Sequence, residues 1–382
     1  MTSAAKPSLE LLRSLSDANV LQALTRARRA TRAELATLSG ISKPTVAESV
    51  RRLEAAGVVV DTGERTTGPG RVGTYYALAA GVGVALAVSI APAGVVVEAV
   101  DVHGDVVVRE TAEVGRPARP RDVAAVLRAV ARRAATAAGA PVRLAVVSAA
   151  DPVERGAGRL VHLPDAPFLV GDLSPAEVLA PVVDGVVTVD NDVNWAARAE
   201  RSAAGPGVMD DAVYLYLGEG LGAAVVSDGE VRRGDGGFAG EIAHVVTTGP
   251  GGRAMPFTEV FERLGVRRSG AAAIDPAAIG AVLAGRTVRD RTARDVVARA
   301  VAGVCAAAIG LADPAVVVLG GTWGGHAAAV PAVRAEVAHL ARPVPVRAAT
   351  VVDEPSLAGA RAHAVAEIRR YVTDYRAHAF QS

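Results

Sequence analysis

The chain has 382 residues, 51% of them hydrophobic and 21% charged, with 41 Lys and Arg against 40 Asp and Glu. Such a chain is ordinary globular material, long enough to bury a large core in two or three domains. The single cysteine, Cys305, excludes an intrachain disulfide and any cysteine-cluster zinc site built within one chain.

Apolar runs such as residues 81–90 are broken by Pro, Gly or charge well before 18 residues, and no charged-then-apolar leader opens the chain. The expected location is therefore the cytoplasm. Charge is unevenly spread: residues 1–80 hold 11 Lys and Arg against 7 Asp and Glu, which leaves 30 against 33 in the remainder. A basic first part points toward nucleic acid, although a surplus of four also fits a plain solvated face.

Thr31, with Glu34 three residues later, forms a capping box that opens a helix with Leu35 and Leu38 on its inner face and Gly40 at its end. Ser42 caps the next helix and Pro44 is tolerated in its first turn. Val46, Val50 and Leu53 point inward, which leaves Lys43, Thr45, Glu48, Ser49 and Arg52 on the opposite face. Helix, glycine turn and helix with a small, polar outer face read as a helix-turn-helix, against the plainer alternative of a generic three-helix bundle. A wing begins at Val58, and its Gly- and Thr-rich tip carries Arg71 where a guanidinium could enter a minor groove. The expected DNA contacts are Lys43, Thr45, Ser49, Arg52 and Arg71.

A domain boundary is expected at about residue 80. Beyond it, residues 84–90, 95–102 and 105–110 read as strands, the last two joined by a tight turn at His103-Gly104. A helix over about 122–138 and a buried strand at 143–148 follow. Further strands at 186–190, 212–217 and 316–319, with a long apolar helix over about 294–311, give an alternating α/β pattern with antiparallel strands at its start.

Four blocks then carry a family resemblance. Asn191-Asp192-Val193-Asn194-Trp195-Ala196-Ala197-Arg198-Ala199-Glu200, Leu217-Gly218-Glu219-Gly220-Leu221-Gly222, Ala239-Gly240-Glu241-Ile242-Ala243-His244 and Leu357-Ala358-Gly359-Ala360 occur in this order. With the segment from Thr31 to Val59, they make the chain similar to regulators of the ROK family (repressor, open reading frame, kinase). The resemblance implies an N-terminal winged helix-turn-helix, residues 1–80, on a two-lobed, actin-like, sugar kinase-like domain, residues 81–382. Lobe one would take about 81–190 plus the C-terminal helix, and lobe two about 191–358. It also implies that Asn191, Asp192, Glu241, His244 and Glu259 contact sugar hydroxyls, with Asp192 at the position of the kinases' general base. For Asn191 and Asp192, which precede a helix, simple capping is the competing role.

Several departures separate the chain from the kinases it resembles. Where they carry D-x-G-x-T to hold metal and phosphate, this chain has Ser89-Ile90-Ala91-Pro92-Ala93, and Glu219 replaces a threonine of the second phosphate loop. After His244 the family's cysteine cluster is missing, so no zinc is expected. Ala150-Asp151-Pro152-Val153 and Ala243 also depart from the pattern around the sugar. The expected protein is a non-enzymatic transcription regulator, a repressor, acting as a homodimer or higher homo-oligomer on a double-stranded operator. It needs no cofactor, and its sensor domain takes a sugar or sugar derivative. Two alternatives stand beside it: a body that only dimerises, and an active sugar kinase.

Overall fold

The computed structural model describes residues 9–67, 72–163, 168–269 and 271–374. At its start, α1 (Leu9–Ala27), α2 (Arg32–Ser39) and α3 (Lys43–Ala55) enclose a small core of Val20, Leu21, Leu24, Leu35, Val46, Val50 and Leu53. The capping box forms: Glu34 donates its amide to Thr31 Oγ1, and Glu34 Oε2 accepts from the Thr31 amide at 2.7 Å. Gly40 closes α2 at φ 71°, a left-handed conformation glycine adopts without steric cost. Leu38 does not point inward as its spacing suggested. It is 57% exposed on the last turn of this eight-residue helix, where only the Leu35 side meets the core. The strands β1 (Arg29–Thr31), β2 (Val59–Arg65) and β3 (Thr74–Leu78) form an antiparallel sheet in the order β1-β3-β2.

Two five-stranded sheets build the rest. The first has the order β6-β5-β4-β7-β8, from β4 (Val84–Ala91), β5 (Gly94–Val100), β6 (Val106–Ala112), β7 (Val142–Ala149) and β8 (Val187–Asn191). The β6-β5-β4 part is antiparallel, and β7 and β8 continue parallel to β4. Both faces of β4 are covered, which explains its unbroken apolar run. On one side lie α4 (Pro120–Ala138) and the short α5 (Pro175–Leu179), burying Val123, Leu127, Val130 and Leu179.

The chain then passes through α6 (Asp192–Ala204) into β9 (Ala212–Leu217), β10 (Leu221–Ser227) and β11 (Glu230–Arg232). A hairpin of β12 (Val246–Thr248) and β13 (Ala254–Pro256) leads to α7 (Phe257–Arg263) and α8 (Pro276–Ala284). After α9 (Val288–Ala312), β14 (Val316–Gly320), α10 (Gly321–Gly324), α11 (Ala329–Val337) and β15 (Val346–Ala348) complete a second sheet in the order β11-β10-β9-β14-β15. By length and composition α9 is apolar enough to cross a membrane, an exception to the broken apolar runs. Its Val296, Val297, Val301, Val304 and Cys305 are buried in the core of this second sheet.

The final helix, α12 (Pro355–Thr373), returns to the first sheet and covers its other face with Leu357, Ala360, Ala364 and Ile368 against Trp195 and Leu144. α6 and α12 touch closely: any Cβ at Gly359 would collide with the Trp195 carbonyl. The far end of α12 reaches the N-terminal unit, since Val372 and Val102 complete the core of α1–α3. Polar contacts reinforce that seam. His103 Nδ1 donates to the Thr25 carbonyl at 3.0 Å, Arg28 pairs with Asp105 at 2.5 Å, and Arg369 donates to the carbonyls of Val102 and His103 at 2.9 and 3.0 Å.

Candidate functional site

Two polar surfaces are the candidates for function, the outer face of α3 and a cleft between the two large sheets. On α3, Ser42 caps the helix by accepting the Thr45 amide, and its hydroxyl lies 2.8 Å from Thr45 Oγ1. Lys43 is exposed and Thr45 half-buried at the first turn. Ser49 departs from its expected place: it is fully buried. At 100° per residue it stands only about 60° from the Val46–Val50–Leu53 seam, and its small side chain fits under the helix. Arg52 is not an outer-face residue either. Its guanidinium donates to the buried Asp17 of α1 at 2.6 and 3.4 Å and to Ser49 Oγ at 2.9 Å, so it ties α3 to α1. Arg51, which the periodicity passed over, stands outermost at 72% exposure and pairs with Glu48 at 2.7 Å. Arg71 lies outside the described residues.

The cleft has a volume of about 280 Å³ and brings together Asn191, Asp192, Glu241 and His244 with Pro92, Tyr216, Glu219 and Thr258. β8 delivers Asn191 and α6 begins at Asp192, so both ride on a strand-to-helix junction. Glu241 is set by Gly240, whose φ of 101° and contact with the Ala223 carbonyl leave no room for a side chain. Asn191 is committed to structure at both ends of its amide: Oδ1 accepts from Val193 at 2.9 Å, and Nδ2 donates to the Asp151 carbonyl at 3.1 Å. Glu259 is not among the cleft-lining residues. It accepts from Arg263 Nε and Nη2 at 3.0 and 2.7 Å.

Below the cleft, Asp190 is almost fully buried. It accepts from Asn191 N at 2.9 Å, Asn194 Nδ2 at 2.9 Å and Arg198 Nη1 at 2.8 Å, with Arg233 Nε 3.1 Å away. Arg233 follows β11, so this cluster joins the second sheet to the β8–α6 junction. Asp151, at the end of β7, is likewise buried; Oδ1 accepts from Leu169, while Oδ2 has no protein partner. Asp151 stood out in the sequence only within Ala150-Asp151-Pro152-Val153; of the partners of Asp190, Asn191, Asn194 and Arg198 lie in the 191–200 block, while Arg233 had no local signal.

Burial in the first place, and mutual repulsion in the second, hold protons on this cluster. Asp192 is pushed up to about 7 by desolvation and by Asp151, and Glu241 to about 7 by the same two causes. Desolvation pushes Asp151 to about 6. Glu241 keeps exposed surface, so its shift is the most open to screening by water. Carboxyls that change between donor and acceptor near neutral pH suit hydroxyl-rich ligands.

A second cavity, about 630 Å³, adjoins the first and shares Ala91, Ala93, Tyr216 and Thr322 with it. Ser89, Gly320, Gly321, Glu113 and Glu354 line it, and no Lys or Arg is among its described lining residues. Glu219 stands beside the first cavity, held by Arg116 at 3.2 Å and Arg268 at 2.8 Å. Where the family resemblance would put a cysteine cluster, the chain forms the β12–β13 hairpin, anchored by Thr247 Oγ1 donating to the Ala300 carbonyl at 2.7 Å. Among the described residues no group of three or more His, Cys, Asp or Glu is arranged to hold a metal.

Comparison with known proteins bears on both surfaces. Residues 94–259 match the ROK family model and residues 13–60 a winged helix-turn-helix DNA-binding model. A xylose repressor of Caldicellulosiruptor bescii is 41% identical over 58 residues, 15% of this chain and 14% of that repressor's length. A glucokinase of Halalkalibacterium halodurans is 40% identical over 86 residues, 22% of this chain and 24% of that enzyme. Among solved structures, a ROK family transcriptional regulator described as a homolog of the E. coli MLC protein superposes with a TM-score of 0.63 at 16% identity, covering 95% of this chain and 99% of that one. A ROK family glucokinase from Streptomyces griseus, in complex with glucose and AMPPNP, gives 0.56 at 21% identity over 74% of this chain and 99% of its own.

Proposed function

Because the chain carries a ROK-family domain behind a winged helix-turn-helix, we propose that it is a DNA-binding transcription regulator, a repressor, that senses a sugar or sugar derivative. The carrying observation is mechanical continuity. The cleft opens at the first residue of α6, α6 locks against α12 at Gly359, and α12 ends inside the core of α1–α3. A ligand that favours one arrangement of the two sheets thereby biases the DNA-reading unit, in proportion to its differential affinity for the two states.

In this reading Lys43 and Thr45 contact DNA from the first turn of α3, Arg51 adds a phosphate contact, and Arg71 works at the wing. A homodimer would place two such helices on an inverted repeat. Asp192, Glu241 and His244 would bind hydroxyls, with Asn191 shaping the backbone around them. Catalysis is disfavoured by the chain's own residues. Pro92 removes an amide donor from the β4–β5 turn, and Glu219 puts a carboxylate where the resemblance expects a threonine of the second phosphate loop. The body therefore acts as sensor and dimer-forming unit, without kinase activity and without a cofactor.

The test pairs calorimetric titration of a sugar panel, xylose and glucose included, with DNA-binding curves. Asp192→Asn and Glu241→Gln are each expected to weaken ligand binding by about 1–3 kcal/mol while sparing DNA affinity without ligand. Ligand affinity and DNA release both unchanged in the two variants would overturn the assignment of the cleft. Phosphoryl transfer to any sugar, lost in Asp192→Ala, would overturn the non-enzymatic reading.

A further inference from the structure

Among its described lining residues the cleft has three carboxylates, Asp192, Glu219 and Glu241, and no Lys or Arg. Glu219 differs from the other two because it is held. Arg116 donates to its Oε2 from Nη1 and Nη2 at 3.3 and 3.2 Å, and to the Pro92 carbonyl at 3.4 Å. From the other side Arg268 Nη2 donates to Oε1 at 2.8 Å. Arg116 belongs to the segment between β6 and α4, whereas Glu219 sits on the β9–β10 turn. The clamp thus joins the two large sheets beside the cleft. Glu219 is among the cleft's described lining residues and the two arginines are not, so the carboxylate is the charged group of the clamp that faces a ligand.

We infer that Glu219, clamped between Arg116 and Arg268, is a specificity residue that makes the cleft reject phosphorylated sugars and accept uncharged or aminated ones. The inference rests on the sugar-sensing reading above and adds the ligand's charge class to it. A phosphate entering here has two options. It stands against a fixed carboxylate in a partly desolvated cleft, where repulsion grows as the effective dielectric falls. Otherwise it displaces Glu219 from both guanidinium groups and strands a half-buried carboxylate without partners. The paired donors also stop Glu219 from swinging aside to relieve the repulsion. An ammonium group gains instead, because it stands among the carboxyls of Asp192, Glu219 and Glu241 with no Lys or Arg among the described lining residues to oppose it. Discrimination of this kind is built by an obstacle to the wrong ligand as much as by contacts to the right one.

The experiment titrates free aldoses, their 2-amino counterparts and their terminal phosphate esters into full-length wild type and Glu219→Gln, with inorganic phosphate as the bare anion. Wild type should bind a free or aminated sugar at least tenfold more tightly than its ester. Glu219→Gln should shrink that ratio at least tenfold, chiefly by gaining affinity for the ester, and a further Arg116→Ala with Arg268→Ala should abolish the gain. Unchanged thermal unfolding shows that the variant folds, and Glu219→Ala serves as a second form of the same test. A wild type that prefers the ester, or a ratio untouched by both Glu219 variants, overturns the inference alone. Binding of no sugar by any form overturns the sensing reading and this inference with it.

Discussion

On α3 the candidate contacts Lys43 and Thr45 are near neighbours in the chain and meet solvent, with no partner needed beyond the Ser42 cap. Around the cleft, Asp151, Asp192 and Glu241 come from three separate segments and sit where burial opposes their charge. The first surface is made by one helix and the second by the assembly of two sheets. A local surface tolerates single changes in its own residues. An assembled one concentrates its cost in the buried groups that hold it.

That contrast is tested most severely at Asp190, whose single carboxylate faces both Arg198 and Arg233 under the cleft. Asp190→Ala should cost about 3–5 kcal/mol of stability, because it leaves two partly buried guanidinium groups without their carboxylate. Urea denaturation checks it, and a loss under about 1 kcal/mol would mean that the cluster does not hold the cleft floor. Arg52 comes next, since it belongs by position to the α3 surface and by contact to the core. Its pairing with the buried Asp17 predicts that Arg52→Ala costs about 2–3 kcal/mol. Lost operator binding with unchanged stability would return Arg52 to the DNA face.

A smaller effect of opposite sign is expected at Asp192. Its carboxyl is raised to about 7 in the folded chain and titrates near 4 when unfolded, so the folded state holds the proton between those values. Stability from this group is therefore fully present below about pH 4 and is lost as pH rises through about 7. Asp192→Asn removes that loss, at the expense of a favourable charge at the start of α6. The variant should be more stable than wild type by about 1 kcal/mol at pH 8, with no gain at pH 4. Thermal unfolding at the two pH values decides it, and a gain of equal size at both would exclude proton linkage as the cause. Lys43→Ala should do least to the fold, within about 0.5 kcal/mol. Its operator affinity should drop by about 1 kcal/mol, equally on every sequence, with a shallower salt dependence. Base-selective loss would make Lys43 a reader of sequence.

The same contrast explains what was legible beforehand. Caps act over three or four residues, so Thr31, Glu34, Gly40 and Ser42 performed the roles their spacing announced. β4 and the antiparallel strands after it were legible because period and turn chemistry are local as well. Ser49 was misplaced because a polar residue on the margin of the buried arc looks exposed to a periodicity argument. Leu38 failed for the converse reason, on a helix too short to bury its final turn. Glu259 matched a motif position yet found a nearer partner in Arg263.

By itself the sequence determined the alternating α/β pattern beyond residue 80, the termini of α2 and α3 and the absence of the Asp, Gly and Thr of D-x-G-x-T from residues 89–93. Each follows from residues within a few positions of one another, where chain connectivity already supplies proximity. Only the tertiary structure decided which carboxyls share the cleft, that Asp190 and Glu200 are spent on structure, and that Glu219 is clamped from two sides. Apart from the local Asp190–Arg198 pair, those pairings join residues far apart in sequence, and their energies depend on burial and separation. Neither exists until the two sheets have packed.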